Sequence, residues 1–298
     1  MMVTSQLIKI MEIERQNSDK NIRLLSSQRY YYTQAKKNRI LKLFCSIVLV
    51  FFSPIILLNL PTARDPLCFI GAFGIILTFV IDFFENNNIK RAANIQEQFD
   101  TEIFGLDWNE ILIGKKEPIE IIISGDKKFK EDKANLHNWY GNLQGIEYPY
   151  SVLVCQRSNL VWDWRLRKKF AIIMLVLLTL ILSLGVLIGL ITKLPLKTYL
   201  MGILIPSIPA LFFGLKEVIE HFRIASEKTS LMNLTNSLLE KSSMPNSDLR
   251  QIQDKIYVLR TKSALVPDWF YKKYRTDYEI NLAASNQDFH DRLMKKKN

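Results

Sequence analysis

Four long apolar runs, grouped in two pairs, constrain this 298-residue chain more than any other feature. They cover residues 40–60, 67–84, 170–191 and 199–215. Each matches the roughly 17–25 residues that a helix needs to cross a hydrocarbon core. The third carries no charge between Lys169 and Lys193. Only residues 61–66 separate the first two runs and residues 192–198 the last two, and loops this short make the flanking helices antiparallel neighbours. The expected fold is therefore a mostly α membrane protein with four transmembrane helices arranged as two hairpins.

An even number of crossings puts the polar segments 1–39, 85–169 and 216–298 on one side. Lys36, Lys37, Arg39, Lys90, Arg91, Arg165, Arg167, Lys168, Lys169, Lys216 and Arg223 flank the runs on that side, against Arg64, Lys193 and Lys197 in the tight loops. Basic residues beside a membrane mark the cytoplasmic face, so both termini and the middle segment are expected in the cytoplasm. The formal net charge of +11 then reads first as attraction to anionic head groups; duplex nucleic acid is not expected as a partner. The first 39 residues are too polar for a cleavable signal peptide, so residues 40–60 themselves are expected to direct insertion.

Along the polar segments the pattern is mainly helical. Residues 13–39 read as one helix, with Leu24, Leu25, Gln28, Tyr31, Tyr32 and Ala35 on one face. Residues 85–104 continue the second run as a helix that Gly105 stops, and residues 216–241 extend the fourth. Pro245 breaks that extension and Ser247 caps a further C-terminal helix, and residues 267–271 form an aromatic knot. In the middle segment a short helix ends near Gly114, residues 119–124 fit a strand or a helix equally well, and Asn138, Gly141, Gly145 and Pro149 mark turns.

Catalytic constellations are missing. Gly114-Lys115-Lys116 lacks the upstream glycine and the hydroxyl residue of a phosphate loop, and His137, His221 and His290 have no metal-ligand spacing. No enzyme activity and no cofactor is expected. Cys45, Cys68 and Cys155 form no disulfide or zinc pattern. No ionisable residue lies near the middle of a run, which disfavours a coupled transporter; Lys42, Asp82 and Glu85 sit at cytoplasmic ends, where they can pair or snorkel. Gly185 and Gly189 allow close helix approach, and Pro54, Pro206 and Pro209 favour kinks. A pore between subunits and a plain oligomerising anchor both fit this inventory.

Separated motifs in a fixed order carry a family resemblance. They are Arg15-Gln16-Asn17, residues 24–29 and 32–36 before the first run, then residues 95–100 and 104–109 after the second. Asn138-Trp139-Tyr140, residues 155–159 and Trp162-Asp163 precede the third. In these the chain resembles the SMODS-associating four-transmembrane effector family of bacterial anti-phage defence, departing from it at Asp107 and Gly141, where proline is expected. The resemblance implies a homo-oligomeric pore-forming effector of the bacterial inner membrane, switched on by a cyclic oligonucleotide from a partner synthase. Bases need aromatic planes and phosphates need cations. The candidate ligand residues are accordingly Trp108, Trp139, Tyr140, Arg157, Asn159, Trp162 and Arg165, with core packing as the competing role for each. A non-conducting scaffold that recruits a partner through its C-terminal helices is the competing function.

Overall fold

The computed structural model describes residues 15–60, 64–141, 146–193, 195–200, 204–241, 244–274 and 291. Six helices build it: α1 (Asp19–Asn59), α2 (Arg64–Phe104), α3 (Ile119–Lys128), α4 (Tyr150–Ile191), α5 (Ile205–Leu239) and α6 (Asn246–Lys262). Short 3-10 helices and single α-turns join them, and the described residues contain no strand. α1 packs along α2 and α4 along α5, so the two expected hairpins exist as antiparallel pairs. The hairpins meet where α1 touches α5, and α6 lies across α2, α4 and α5.

The four long helices change character along their length. The 41 residues of α1 span about 60 Å at 1.5 Å per residue. Its first half buries Ile22, Leu24, Leu25, Tyr31 and Ala35, whereas Ile40, Leu41 and Phe44 are exposed. α2 mirrors it: Ile89, Ala92, Ala93, Ile95, Phe99 and Ile103 are buried, while Phe73, Ile76, Phe79 and Phe83 are exposed. α4 buries Val152, Leu153, Val154 and Leu160 but leaves Leu180 60% and Ile191 77% exposed. One end of the molecule is thus a helical module with a shared core, and the other end exposes apolar side chains far beyond what water-facing surfaces carry. Among the described residues, α4 is the one helix long and apolar enough to cross a membrane.

Local chemistry explains the boundaries. Gly105, at φ 59°, terminates α2 in the left-handed conformation that glycine adopts without a Cβ penalty. The turn Glu110–Ile113 is capped by Asn109, whose side chain accepts from the Leu112 N–H at 3.2 Å. Residues 119–124 are helical, because α3 has Glu120 in its first turn and Lys127 and Lys128 in its last, complementing the helix dipole. Gly125 then lets α3 approach α1: a Cβ there would lie 3.1 Å from Ser27 Cα and 3.0 Å from the Tyr31 ring. Gly125→Val is expected to destabilise the chain by about 1–3 kcal/mol through overpacking, read as a lower unfolding midpoint of the detergent-solubilised protein.

Several expectations shift. The N-terminal helix begins at Asp19, after the 3-10 turn Arg15–Asn17; residues 13 and 14 lie outside the described residues. α6 begins at Asn246 with Pro245 as its N-cap residue, so Ser247 lies inside the helix. Pro206 occupies the first turn of α5, a position that tolerates proline, and α1 runs on through Pro54. The side chains of Pro54, Pro206 and Pro209, and the Gly145 turn, lie outside the described residues. Gly189 packs within the second hairpin: a Cβ on it would lie 2.8 Å from Tyr199 Cδ2. Gly214 on α5 does the same against Leu178 of α4, an approach that the sequence reading did not single out.

Candidate functional site

A cavity of about 310 Å³ lies where the two hairpins and α6 converge. α1 contributes Gln28, Arg29, Tyr32, Thr33 and Lys36, spaced to share one helical stripe. α4 adds Asn159, Asp163 and Arg167, again one turn apart; Lys228 comes from α5 and Arg260 from α6. The segment after α6 closes it with Ser263, Leu265, Asp268 and Tyr271. The cations Arg29, Lys36, Arg167, Lys228, Arg260 and Lys272 outnumber the lining carboxylates Glu131, Asp163 and Asp268.

Asp163 organises the wall. Arg167 Nε donates to its Oδ2 at 2.5 Å and Lys228 Nζ donates to the same oxygen. Burial pushes the Asp163 carboxyl up, but the two cations outweigh it and hold it well below the usual carboxylate range. Burial likewise brings the Lys228 ammonium down to about 8, with Asp163 opposing. Nearby, Lys36 pairs with Asp268 at 2.5 Å and lies 5.7 Å from the centre of the Tyr271 ring. Arg29 rests over Trp139 at 5.2 Å, with Glu131 3.8 Å away.

Behind this wall runs a second buried network. Asn159 Nδ2 donates to Tyr140 Oη at 3.0 Å, Tyr140 Oη donates to Asp100 at 2.5 Å, and Arg260 Nη1 donates to Asp100 Oδ2 at 2.6 Å. Glu97, one turn away, accepts from Arg250 and from Gln253, each at 2.7 Å. Burial, with Asp100 alongside, pushes the Glu97 carboxyl up to about 7 against Arg260 and Arg250. A carboxyl whose pKa is raised on folding favours the native state below that value, so stability falls as pH rises from about 4.5 to 7. The protein is expected to be about 1–2 kcal/mol more stable at pH 5.5 than at pH 8 through this group. Glu97→Gln should flatten that slope in pH-dependent denaturation, since Arg250 keeps Asp254 at 2.6 Å.

Below the cavity, toward the apolar ends, a third cluster ties the hairpins together. Arg39 of α1 donates to Glu85 of α2 at 2.8 Å and to Glu217 of α5 at 3.0 Å, while Lys42 pairs with Asp82 and with Glu85. Of the two expectations for Lys42, Asp82 and Glu85, pairing or snorkelling, the structure shows pairing. The segment after α6 bridges both hairpins: the Leu265 carbonyl accepts from Arg39 at 3.2 Å and the Ala264 carbonyl from Arg167. His221, buried beneath Phe170, is neutral, because burial together with Arg167 and Arg39 brings it to about 2. Its Nδ1 faces Arg167 Nη1 at 3.5 Å, and arginine only donates, so the ring proton sits on Nε2, 3.8 Å from Glu217.

The sequence-expected ligand residues divide. Trp139 and Asn159 line the cavity, and Tyr140, 6% exposed, stands behind Asn159. Trp108 lies elsewhere, donating to the Gly114 carbonyl at 2.8 Å and packing beside Ala93, Ile113 and Tyr257. Arg157 is buried and donates to Asn236 of α5 at 2.7 Å, so it joins α4 to α5. Arg165 is exposed and stacks 5.3 Å from Trp164. The Trp162 side chain lies outside the described residues. The aromatic knot is real: Phe270 contacts Phe170 at 5.1 Å and Tyr274 at 4.9 Å, which anchors the C-terminal segment to α4, while Trp269 is exposed.

The family model for the SMODS-associating 4TM effector domain matches residues 12–289. The chain belongs to that family. A similar protein, described as a probable CBASS effector molecule of Bacillus cereus (strain VD146), is 32% identical over 272 residues. That match covers 87% of this chain and 91% of the relative. No solved structure matches. In this 4TM effector the matched span holds all six helices and the whole cavity wall. Arg29, Lys36, Asp163, Arg167, Lys228 and Arg260 line the cavity and were not among the sequence-expected ligand residues. The detectable signal was charge inside amphipathic stripes, at Arg29 and Lys36 of α1 and at Asp163 and Arg167 of α4.

Proposed function

We propose that this effector is activated by a cyclic oligonucleotide bound in the cavity between the hairpins, and that activation permeabilises the bacterial inner membrane. One observation carries the reading: the cavity is cationic and aromatic, and the helices that wall it continue as the apolar runs. Phosphates entering it compete with Asp163 for Lys228 and Arg167, and thereby with the contact that pins α4 to α5. Displacement at Arg167 loosens the Ala264 contact of the bridging segment, and through Leu265 it reaches Arg39 at the base of α1. A bound anion is thus coupled to both hairpins by direct contacts.

The runs 40–60, 67–84, 170–191 and 199–215 cross the bilayer, with both termini and the middle segment in the cytoplasm. The exposed apolar surface of α4 and the basic residues at the polar ends of the runs support this. Subunits assemble so that apolar side chains of the runs gate the conducting path between them. The chain carries no catalytic machinery in this account; membrane failure is the output.

The test is uptake of a membrane-impermeant dye by cells that express this chain with a partner cyclic-oligonucleotide synthase. Dye entry that needs both proteins, and an active synthase, is expected. Intact membranes under those conditions, with the chain found in the membrane fraction, would contradict the proposal and favour a non-conducting scaffold.

A further inference from the structure

Two side chains in the cavity wall have no use in the account so far. Gln28 on α1 is 3% exposed and Gln96 on α2 is 8% exposed, and both line the cavity. The antiparallel pairing of α1 with α2 sets Lys20 against Glu102 and Arg39 against Glu85, which places Gln28 and Gln96 at one level of the hairpin. Neither carboxamide makes a hydrogen bond with another described residue. On the same wall Arg260 pairs with Asp100 through Nη1, while its Nη2 is buried without a partner. Buried polar groups are hydrogen-bonded in the great majority of native structures, so the unmet Arg260 Nη2 calls for an acceptor in the cavity, and the two carboxamides that line the same wall are open to a molecule there.

We infer that this wall reads a nucleobase of the activating ligand and that the base is adenine. The inference rests on the ligand class argued above. A carboxamide presents a donor beside an acceptor, which matches the N6 amino group and the adjacent ring nitrogen of adenine. The guanine edge with two acceptors calls for a bidentate cation, and its edge with two donors calls for a free carboxylate. Glu131 lies beside Arg29 and Asp268 holds Lys36, and Asp163 still faces both Lys228 and Arg167 where phosphates draw on them; Arg260 keeps Nη1 on Asp100, so its free Nη2 alone does not make the two-nitrogen fork. A uracil edge also offers one donor and one acceptor, but the Arg29–Trp139 stack favours the larger purine surface.

The test is direct binding of cyclic di-AMP, cyclic di-GMP, cyclic di-UMP and cyclic tri-AMP to the full chain in lipid nanodiscs, by calorimetry. The adenine compounds should bind at least about tenfold more tightly than cyclic di-GMP, since a bidentate amide contact discriminates by roughly that factor or more. Gln28→Met removes the amide at near-constant volume and should weaken the adenine compounds by about tenfold while changing cyclic di-GMP less than about threefold. Gln96→Glu, folded by its unfolding midpoint, should narrow or reverse the preference. Equal or guanine-first binding by the unaltered protein overturns the adenine assignment alone. So does a uniform loss for every compound in the glutamine variants. No binding of any compound to the folded protein overturns the cyclic-oligonucleotide reading itself, and this inference with it.

Discussion

Asp163→Ala is expected to lower the unfolding free energy by about 3–5 kcal/mol. The carboxylate serves two buried cations from different helices, Arg167 of α4 and Lys228 of α5. Removing it leaves both charges in a wall where Arg260 adds a third, and uncompensated buried charge costs far more than a lost surface pair. The pH dependence has a definite sign. A carboxylate held low in the folded state stabilises it above the unfolded pKa near 3.9, and that contribution is lost as pH falls toward the depressed folded value. At pH 7 the loss on substitution is therefore complete. Denaturant titration in detergent micelles measures it, and the double variant Asp163→Ala with Lys228→Met should recover part of the loss, as coupled neighbours do. A change below about 1 kcal/mol would show that solvent reaches this pair freely.

Lys228→Met should act on ligand response more than on folding, because Asp163 keeps Arg167 at 2.5 Å. A charge-assisted hydrogen bond to phosphate contributes about 1.5–3 kcal/mol, so the concentration of cyclic oligonucleotide that half-activates the protein should rise about 10–100-fold. The response should also lose part of its salt dependence, since one cation fewer faces the phosphates. Unchanged half-activation, with the same salt dependence, would remove Lys228 from the site. Arg165→Met serves as the control, because Arg165 is exposed and lies outside the cavity wall.

Much of the helical frame was legible in the sequence, and physical reasons separate what was from what was not. The short loops forced the pairings of α1 with α2 and of α4 with α5. Gly105 and Gly114 announced helix ends because each adopts a positive φ, at 59° and 84°. Gly141 takes φ 73°, a value closed to the proline that the family pattern led us to expect. Residues 119–124 stayed ambiguous because an isoleucine run suits either period; their helical state is decided by terminal charges and by the approach of Gly125 to Ser27. The cavity was mostly illegible. It joins residues from Gln28 to Lys272, whereas local clustering drew attention to the aromatics of the middle segment, where Trp108 packs away from the cavity. Asn159 and Trp139 were found because they lie beside turn and motif residues. Lys228 and Arg260 stand in otherwise ordinary amphipathic helices, and only tertiary packing shows them beside a shared cavity.

The most direct measurement is dye leakage from liposomes carrying the purified chain, made with and without a panel of cyclic di- and trinucleotides. The expected result is leakage triggered by a particular cyclic oligonucleotide, with the Lys228→Met variant requiring a much higher concentration. Liposomes that stay sealed in the presence of a cyclic oligonucleotide shown to bind the inserted protein would contradict a ligand-gated membrane effector.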